Sequence, residues 1–241
     1  MMLKRILSLL AVILTFSPLL FADKGYVINT PTVDMLDYDF CDGGLRFFSN
    51  GNLLCGANFG ILKRLNIGAS LELSRFVGKS NKGLKIAIPA LQIKYKAYDG
   101  SMDYPGIAVG YDGQSCFFNR KYAGNYLQKK LGFYFVIGRE FFVENLMINF
   151  GINFNNKVCW FINSVIPLYK EIVYLMAEAE YGNMSCFPNA RFNLGLRFAL
   201  NEYASIDCIV RDCCFLKKDC NKTRDRFFDE RMLKMGYTIK F

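Results

Sequence analysis

Apolar and polar residues alternate one for one through a succession of short segments along most of this chain. In 65–76, Leu65, Ile67, Ala69, Leu71 and Leu73 oppose Asn66, Gly68, Ser70, Glu72 and Ser74. In 146–155, Leu146, Ile148, Phe150, Ile152 and Phe154 oppose Met147, Asn149, Gly151, Asn153 and Asn155. In 190–200, Phe192, Leu194, Leu196, Phe198 and Leu200 oppose Arg191, Asn193, Gly195, Arg197 and Ala199. A period of two places all the apolar side chains of a segment on one face of a β-strand, and a helix cannot do this. The alternation predicts strands at 40–48, 52–61, 65–76, 86–98, 106–118, 131–138, 146–155, 158–166, 172–181, 190–200, 204–212 and 231–241.

The apolar faces must be covered by something. Hydrophobic residues make up 52% of the chain and aromatics 16%, with 23 Phe and 14 Tyr. Beyond the first 22 residues no apolar run approaches the roughly 20 residues of a spanning helix. A closed barrel in lipid resolves this, because its strands satisfy every backbone donor and acceptor among themselves while the apolar faces point outward. The expected fold is therefore all-β: a transmembrane, antiparallel, up-and-down barrel of about twelve strands. A soluble lipocalin-like barrel, with its apolar face inward, is the competing architecture.

The spacing between segments supplies a second criterion. Barrels of the outer membrane have short turns at the periplasmic end and longer loops outside. If both termini are periplasmic, the even connections 62–64, 99–105, 139–145, 167–171 and 201–203 are the turns. The longer stretches 77–85, 119–130, 182–189 and 213–230 all fall on odd connections. Those stretches are rich in Lys and Arg (Lys79, Lys82 and Lys85; Arg120, Lys121, Lys129 and Lys130; Lys217, Lys218, Lys222, Arg224 and Arg226). At an outer surface they would face lipopolysaccharide phosphates. Basic residues spread over separate loops do not form the continuous stripe of a nucleic-acid binder.

The first residues read as a secretory signal peptide. Lys4 and Arg5 precede an apolar run from Ile6 to Leu20, and Ala22 supplies a small residue for cleavage. The expected organisation is a signal peptide at 1–22, a periplasmic segment at 23–39 and the barrel at 40–241. At the far end, Tyr237, Ile239 and Phe241 fall on one face of the last strand. A terminal aromatic preceded by apolar residues at two and four positions resembles the assembly signal of outer-membrane barrels, so barrel-assembly machinery is an expected partner.

The chain contains no His, which removes Ser-His-Asp and Cys-His catalysis and any His general base. Its nine Cys show no C-x-x-C spacing, so neither a zinc site nor any other cofactor is expected. Cys41, Cys55, Cys159 and Cys208 fall within predicted strands, whereas Cys213, Cys214 and Cys220 share a predicted loop in which a local disulfide is open to them. Glu178 and Glu180 share a strand face, but paired lumen carboxylates are more often structural than catalytic, and no enzyme is expected. The polar faces predict an interior lined by Arg46, Glu72, Lys94, Lys96, Glu178, Glu180, Arg191, Arg197, Asp207 and Arg211, with Asp112, Lys234 and Lys240 beside them. This set suits a small anion-selective channel. It equally suits a barrel filled by its own charge network.

One stretch carries a resemblance. Gly25-Tyr-Val-Ile-Asn-Thr-Pro-Thr-Val-Asp-Met-Leu-Asp37, followed by Pro89-Ala-Leu-Gln-Ile-Lys-Tyr-Lys96 and Pro105-Gly-Ile-Ala-Val-Gly-Tyr-Asp112, resembles the opening of bacterial outer-membrane proteins of the YjbH type. The resemblance implies a non-enzymatic barrel of the outer membrane associated with exopolysaccharide secretion, with polysaccharide or a small anionic solute as its partner.

Overall fold

The computed structural model describes residues 25–49, 51–77, 84–101, 104–122, 125–141, 146–155, 157–169, 172–182, 190–201, 203–213 and 228–241. The predicted signal peptide and the basic stretches around Lys79, Lys82 and Lys217–Arg226 lie outside them. Strands are β1 (Phe40–Phe48), β2 (Leu53–Leu62), β3 (Leu65–Ser74), β4 (Lys85–Ile86), β5 (Ala90–Tyr98), β6 (Gly106–Tyr122) and β7 (Asn125–Phe141). They continue as β8 (Leu146–Asn155), β9 (Lys157–Tyr169), β10 (Val173–Gly182), β11 (Ala190–Ala199), β12 (Ala204–Cys213) and β13 (Phe228–Lys240).

Every neighbouring pair is antiparallel, and β1 pairs with both β2 and β13, so the sheet closes on itself. Of the 13 strands, β4 is a two-residue piece that pairs with β3 beyond β5, so twelve strands form the wall. The chain is a closed, antiparallel, up-and-down barrel of the outer-membrane type.

The alternation explains the sidedness. Phe133, Phe135, Phe150, Phe154, Trp160, Ile162, Leu194, Leu196, Phe198 and Leu233 are exposed on the outer surface. Their neighbours Asn149, Asn153, Asn163, Asn193, Arg197, Asp207 and Lys234 are buried. This is the reverse of a soluble barrel, and it removes the lipocalin-like alternative. The outer wall has the character of a lipid-facing surface.

Three departures from the predicted elements have local causes. The predicted strand 86–98 is interrupted at 87–89, where Pro89 has no N–H for the ladder, and the register against β3 slips there by one residue. The predicted long loop 119–130 is instead strand: β6 and β7 each run 17 residues and meet at Tyr122↔Asn125. A crossing needs only about 9–11 residues, so this hairpin extends past the rest of the wall at the end opposite Phe40 and Lys240. Cys213, expected in a loop, is the last residue of β12 and is buried, whereas Cys214 and Cys220 lie outside the described residues.

Two inward glycines show why the wall packs closely. A Cβ on Gly110 would lie 2.4 Å from the Tyr134 ring, and one on Gly151 would lie 2.2 Å from the Phe161 ring. Each glycine lets a ring from the next strand lie flat across it.

The largest correction concerns the segment ahead of β1, expected to stand in the periplasm. Residues 25–36 are instead folded into the barrel. Val27, Ile28, Asn29, Thr30 and Thr32 are almost wholly buried. The segment turns back on itself, with Val27 N donating to Thr30 O (3.2 Å), Thr32 N donating to Gly25 O (3.1 Å) and a bridge between Tyr26 and Pro31. Its turn carries the Asn-Thr-Pro-Thr sequence. Val27 and Ile28 pack against Phe48, Leu54, Met176, Ile209 and Met232. Val33 packs against Ala108, Tyr134, Val136 and Phe161 on another part of the wall. The segment thus spans the interior, and two apolar clusters form inside a largely polar lumen.

Candidate functional site: the barrel interior

The wall carries two chemically distinct arcs, and register explains both. Arg197 stands opposite Asp207, Asp207 opposite Lys234, and Lys234 opposite Arg46, so one row crosses β11, β12, β13 and β1. Arg197 donates to both carboxylate oxygens of Asp207, Nε to Oδ1 at 2.9 Å and Nη2 to Oδ2 at 3.0 Å. Lys234 Nζ lies 3.9 Å from Asp207 Oδ2. The two-pronged geometry suits a buried pair, because the fork of Arg matches a carboxylate. Three cations to one anion leave this row positive. Arg211 adds to the arc, stacked on the Phe48 ring at 5.5 Å, and Arg46 lies over the Tyr26 ring at 5.6 Å.

The second arc is built from amides and carboxylates. Asn149, Asn163, Glu178 and Asn193 stand opposite one another in a row across β8 to β11. Asn149 Nδ2 donates to Asn163 Oδ1 (2.9 Å), and Asn193 Nδ2 donates to Glu178 Oε1 (2.7 Å). The rest of the row is turned to the inner segment. Glu178 Oε2 accepts from Asn29 N (2.9 Å), Thr30 N (2.9 Å) and Thr30 Oγ1 (2.6 Å). Asn163 Nδ2 donates to Thr30 Oγ1 (2.8 Å) and Pro31 O (3.1 Å). Asn149 Oδ1 accepts from Val33 N at 3.0 Å.

A third group fixes the other side of the segment. Tyr26 Oη donates to Asp112 Oδ2 at 2.8 Å, and Asp112 Oδ1 accepts from Gln92 Nε2 (3.2 Å) and Gln114 N (2.7 Å). Burial, and then the Asp112 carboxylate beside it, push the Tyr26 phenol well above its ordinary range, so it remains a donor. Lys94 Nζ donates to the carbonyls of Gly25 and Asp34.

The residues singled out in the sequence are placed as follows. Arg46, Glu72, Lys94, Glu178, Glu180, Arg197, Asp207 and Arg211 are buried on the inner face. Arg191, opposite Glu180, is partly buried. Lys96 sits near the rim, 3.8 Å from Asp99, which Arg64 also meets at 2.6 Å. Lys240 lies at the exposed rim with its ammonium 5.9 Å from the centre of the Phe40 ring. Tyr237, Ile239 and Phe241 share the outer face of the closing strand. Phe241 N donates to Asp39 O at 2.8 Å, and its ring meets Phe59 edge-on at 6.3 Å. The structure brings Glu178 and Asp207 into different arcs, which a list of charges does not reveal. The asparagines of the second arc form no motif in the sequence, although Asn149 and Asn193 stand on the polar faces of their segments.

Two crevices of about 30 Å³ each lie between the inner segment and the wall, sharing Tyr26, Asp42, Asn58 and Gln92. Lys94 lines one, and Arg46, Gln114 and Lys234 line the other. Each has room for only a few waters.

No protein-family model matches the sequence, and no curated protein matches it. Among solved structures the chain is similar to the KdgM porin (TM-score 0.47, 9% identity, 84% of this chain and 99% of that one). It is similar also to the KdgM porin in complex with disordered oligogalacturonate (0.49, 8%, 84% and 99%). A third likeness is to the Acinetobacter baumannii outer membrane protein Omp33 (0.42, 8%, 86% and 99%).

Proposed function

We propose that this chain is a non-enzymatic barrel of the bacterial outer membrane that passes small hydrophilic solutes, anions in preference to cations. The observation that carries the reading is the basic row Arg197–Asp207–Lys234–Arg46, set inside a wall whose outer face is apolar. Fixed positive charge in a low-dielectric tube lowers the energy of an anion and raises that of a cation. The end carrying Phe40, Lys240 and the short 63–64 turn is read as periplasmic, which sets the longer connections outside. A part in exopolysaccharide secretion, implied by the resemblance of residues 25–112, would use the same lumen with a polymer in place of a small ion.

The test is planar-bilayer conductance under a salt gradient. It uses the full chain and a variant with 25–36 replaced by a Gly-Ser linker. The expected result is a reversal potential of the sign for anion preference, which weakens or inverts in the double variant Arg46→Glu, Lys234→Glu. Absence of conductance in every one of these proteins would overturn the reading.

A further inference from the structure

The inner segment is attached to the barrel in an unusual way. It adds no strand to the wall, since each of the twelve wall strands already has two neighbours. Its one internal bridge is Tyr26 to Pro31. The second arc grips it chiefly through its main chain: the amides of Asn29, Thr30 and Val33 and the carbonyl of Pro31. The groups on the wall side are the side chains of Asn149, Asn163 and Glu178. Water can solvate such side chains in an open lumen, so removing the segment breaks no wall hydrogen bond between strands.

The segment is pinned where it runs into the wall. Asp39 N donates to Gly60 O at 3.1 Å, and Asp39 O accepts from Phe241 N at 2.8 Å. Asn66, with its amide turned to satisfy both atoms, accepts from Leu36 N at 2.8 Å and donates to Leu36 O at 3.1 Å. These contacts pin 36–39 to the rim where the chain enters β1. Asp39 has a positive φ of 68°, so the chain turns sharply there.

We propose that the Asn149–Asn163–Glu178–Asn193 row is a seat for peptide main chain, and that residues 25–36 are its detachable occupant, a plug that leaves the lumen by swinging about 37–39. The consequence for transport rests on the channel reading above, whereas the plug itself rests on this geometry alone. Glu178 is the latch, because one carboxylate oxygen receives two backbone amides and a hydroxyl. The two crevices beside Tyr26 hold only a few waters, so the seated segment obstructs that side of the lumen. The same seat would accept another extended segment with two successive free amides.

Hydrogen exchange of the folded full-length protein, followed by mass spectrometry, tests this without depending on conductance. Peptides covering 25–36 are expected to exchange roughly tenfold faster, or more, in Glu178→Ala than in the unaltered chain, while those of β1 and β13 keep their rates. If Glu178→Ala fails to fold, Thr30→Ala carries the same expectation in direction, since its change lies wholly within the segment. Exchange in 25–36 that stays as slow as in the strands, or that rises only together with them, would overturn the plug. Conductance of the same variants separates the two readings. Faster exchange with longer open times supports both. Faster exchange with no conductance leaves the plug standing and removes the channel. Long open times with a fully protected segment overturn the plug and keep the channel.

Discussion

Asp207 is the residue on which the basic arc depends. It is fully buried, takes two hydrogen bonds from Arg197 and stands within 3.9 Å of Lys234. Replacing it with Ala leaves two buried cations without their shared counter-charge, which costs about 3–5 kcal/mol in comparable buried pairs. The expected outcome is a lower urea midpoint for Asp207→Ala in detergent, with much of the loss recovered in the double variant Asp207→Ala, Arg197→Met. A midpoint equal to that of the unaltered chain would mean that lumen water screens the row. Glu178 shows a different limit of sequence reading. Its alternation placed it on the polar face, but nothing in the neighbouring residues announces that its partners are the amides of Asn29 and Thr30, nearly 150 positions earlier.

At the scale of elements, strand identity is set locally and strand length is not. The period of two reveals β3, β8 and β11 because each has one face in lipid and one in the lumen. The extension of β6 and β7 past the rest of the wall follows from their pairing with each other. Glycine placement is likewise an element-level matter. Gly151→Val would drive a side chain into the Phe161 ring, and overpacking of this kind costs about 1–3 kcal/mol. A urea midpoint lowered in proportion to that loss of stability, with unchanged secondary structure by circular dichroism, is expected. The closing strand offers a separate prediction, on the reading that its end is an assembly signal. Deleting Phe241 is expected to lower the yield of folded barrel in cells several-fold, while the purified chain still refolds in detergent. Equal yields in cells would refute that role.

For the whole molecule, the decisive property is the inversion of sidedness. Arg at Ile162, on the outer face of β9, is expected to cost about 2–4 kcal/mol when the barrel refolds into lipid, the cost of a charge facing hydrocarbon near mid-bilayer. The same substitution in a water-soluble barrel would cost almost nothing, so refolding titrations in vesicles distinguish the two. Unboiled samples on denaturing gels should migrate apart from boiled ones, as closed barrels of this kind do when they stay folded.

The sequence by itself determined which faces of the strands are apolar, roughly where those strands lie, and which charges share the polar side. It did so because a strand's side chains alternate whatever the strand pairs with. Only the tertiary structure decided that those charges separate into a basic arc and an amide-rich arc, since that depends on the register between strands distant in sequence. It alone decided that residues 25–36 lie inside the barrel. Their local composition is that of an ordinary polar turn, and the groups that hold them become neighbours only when the barrel closes.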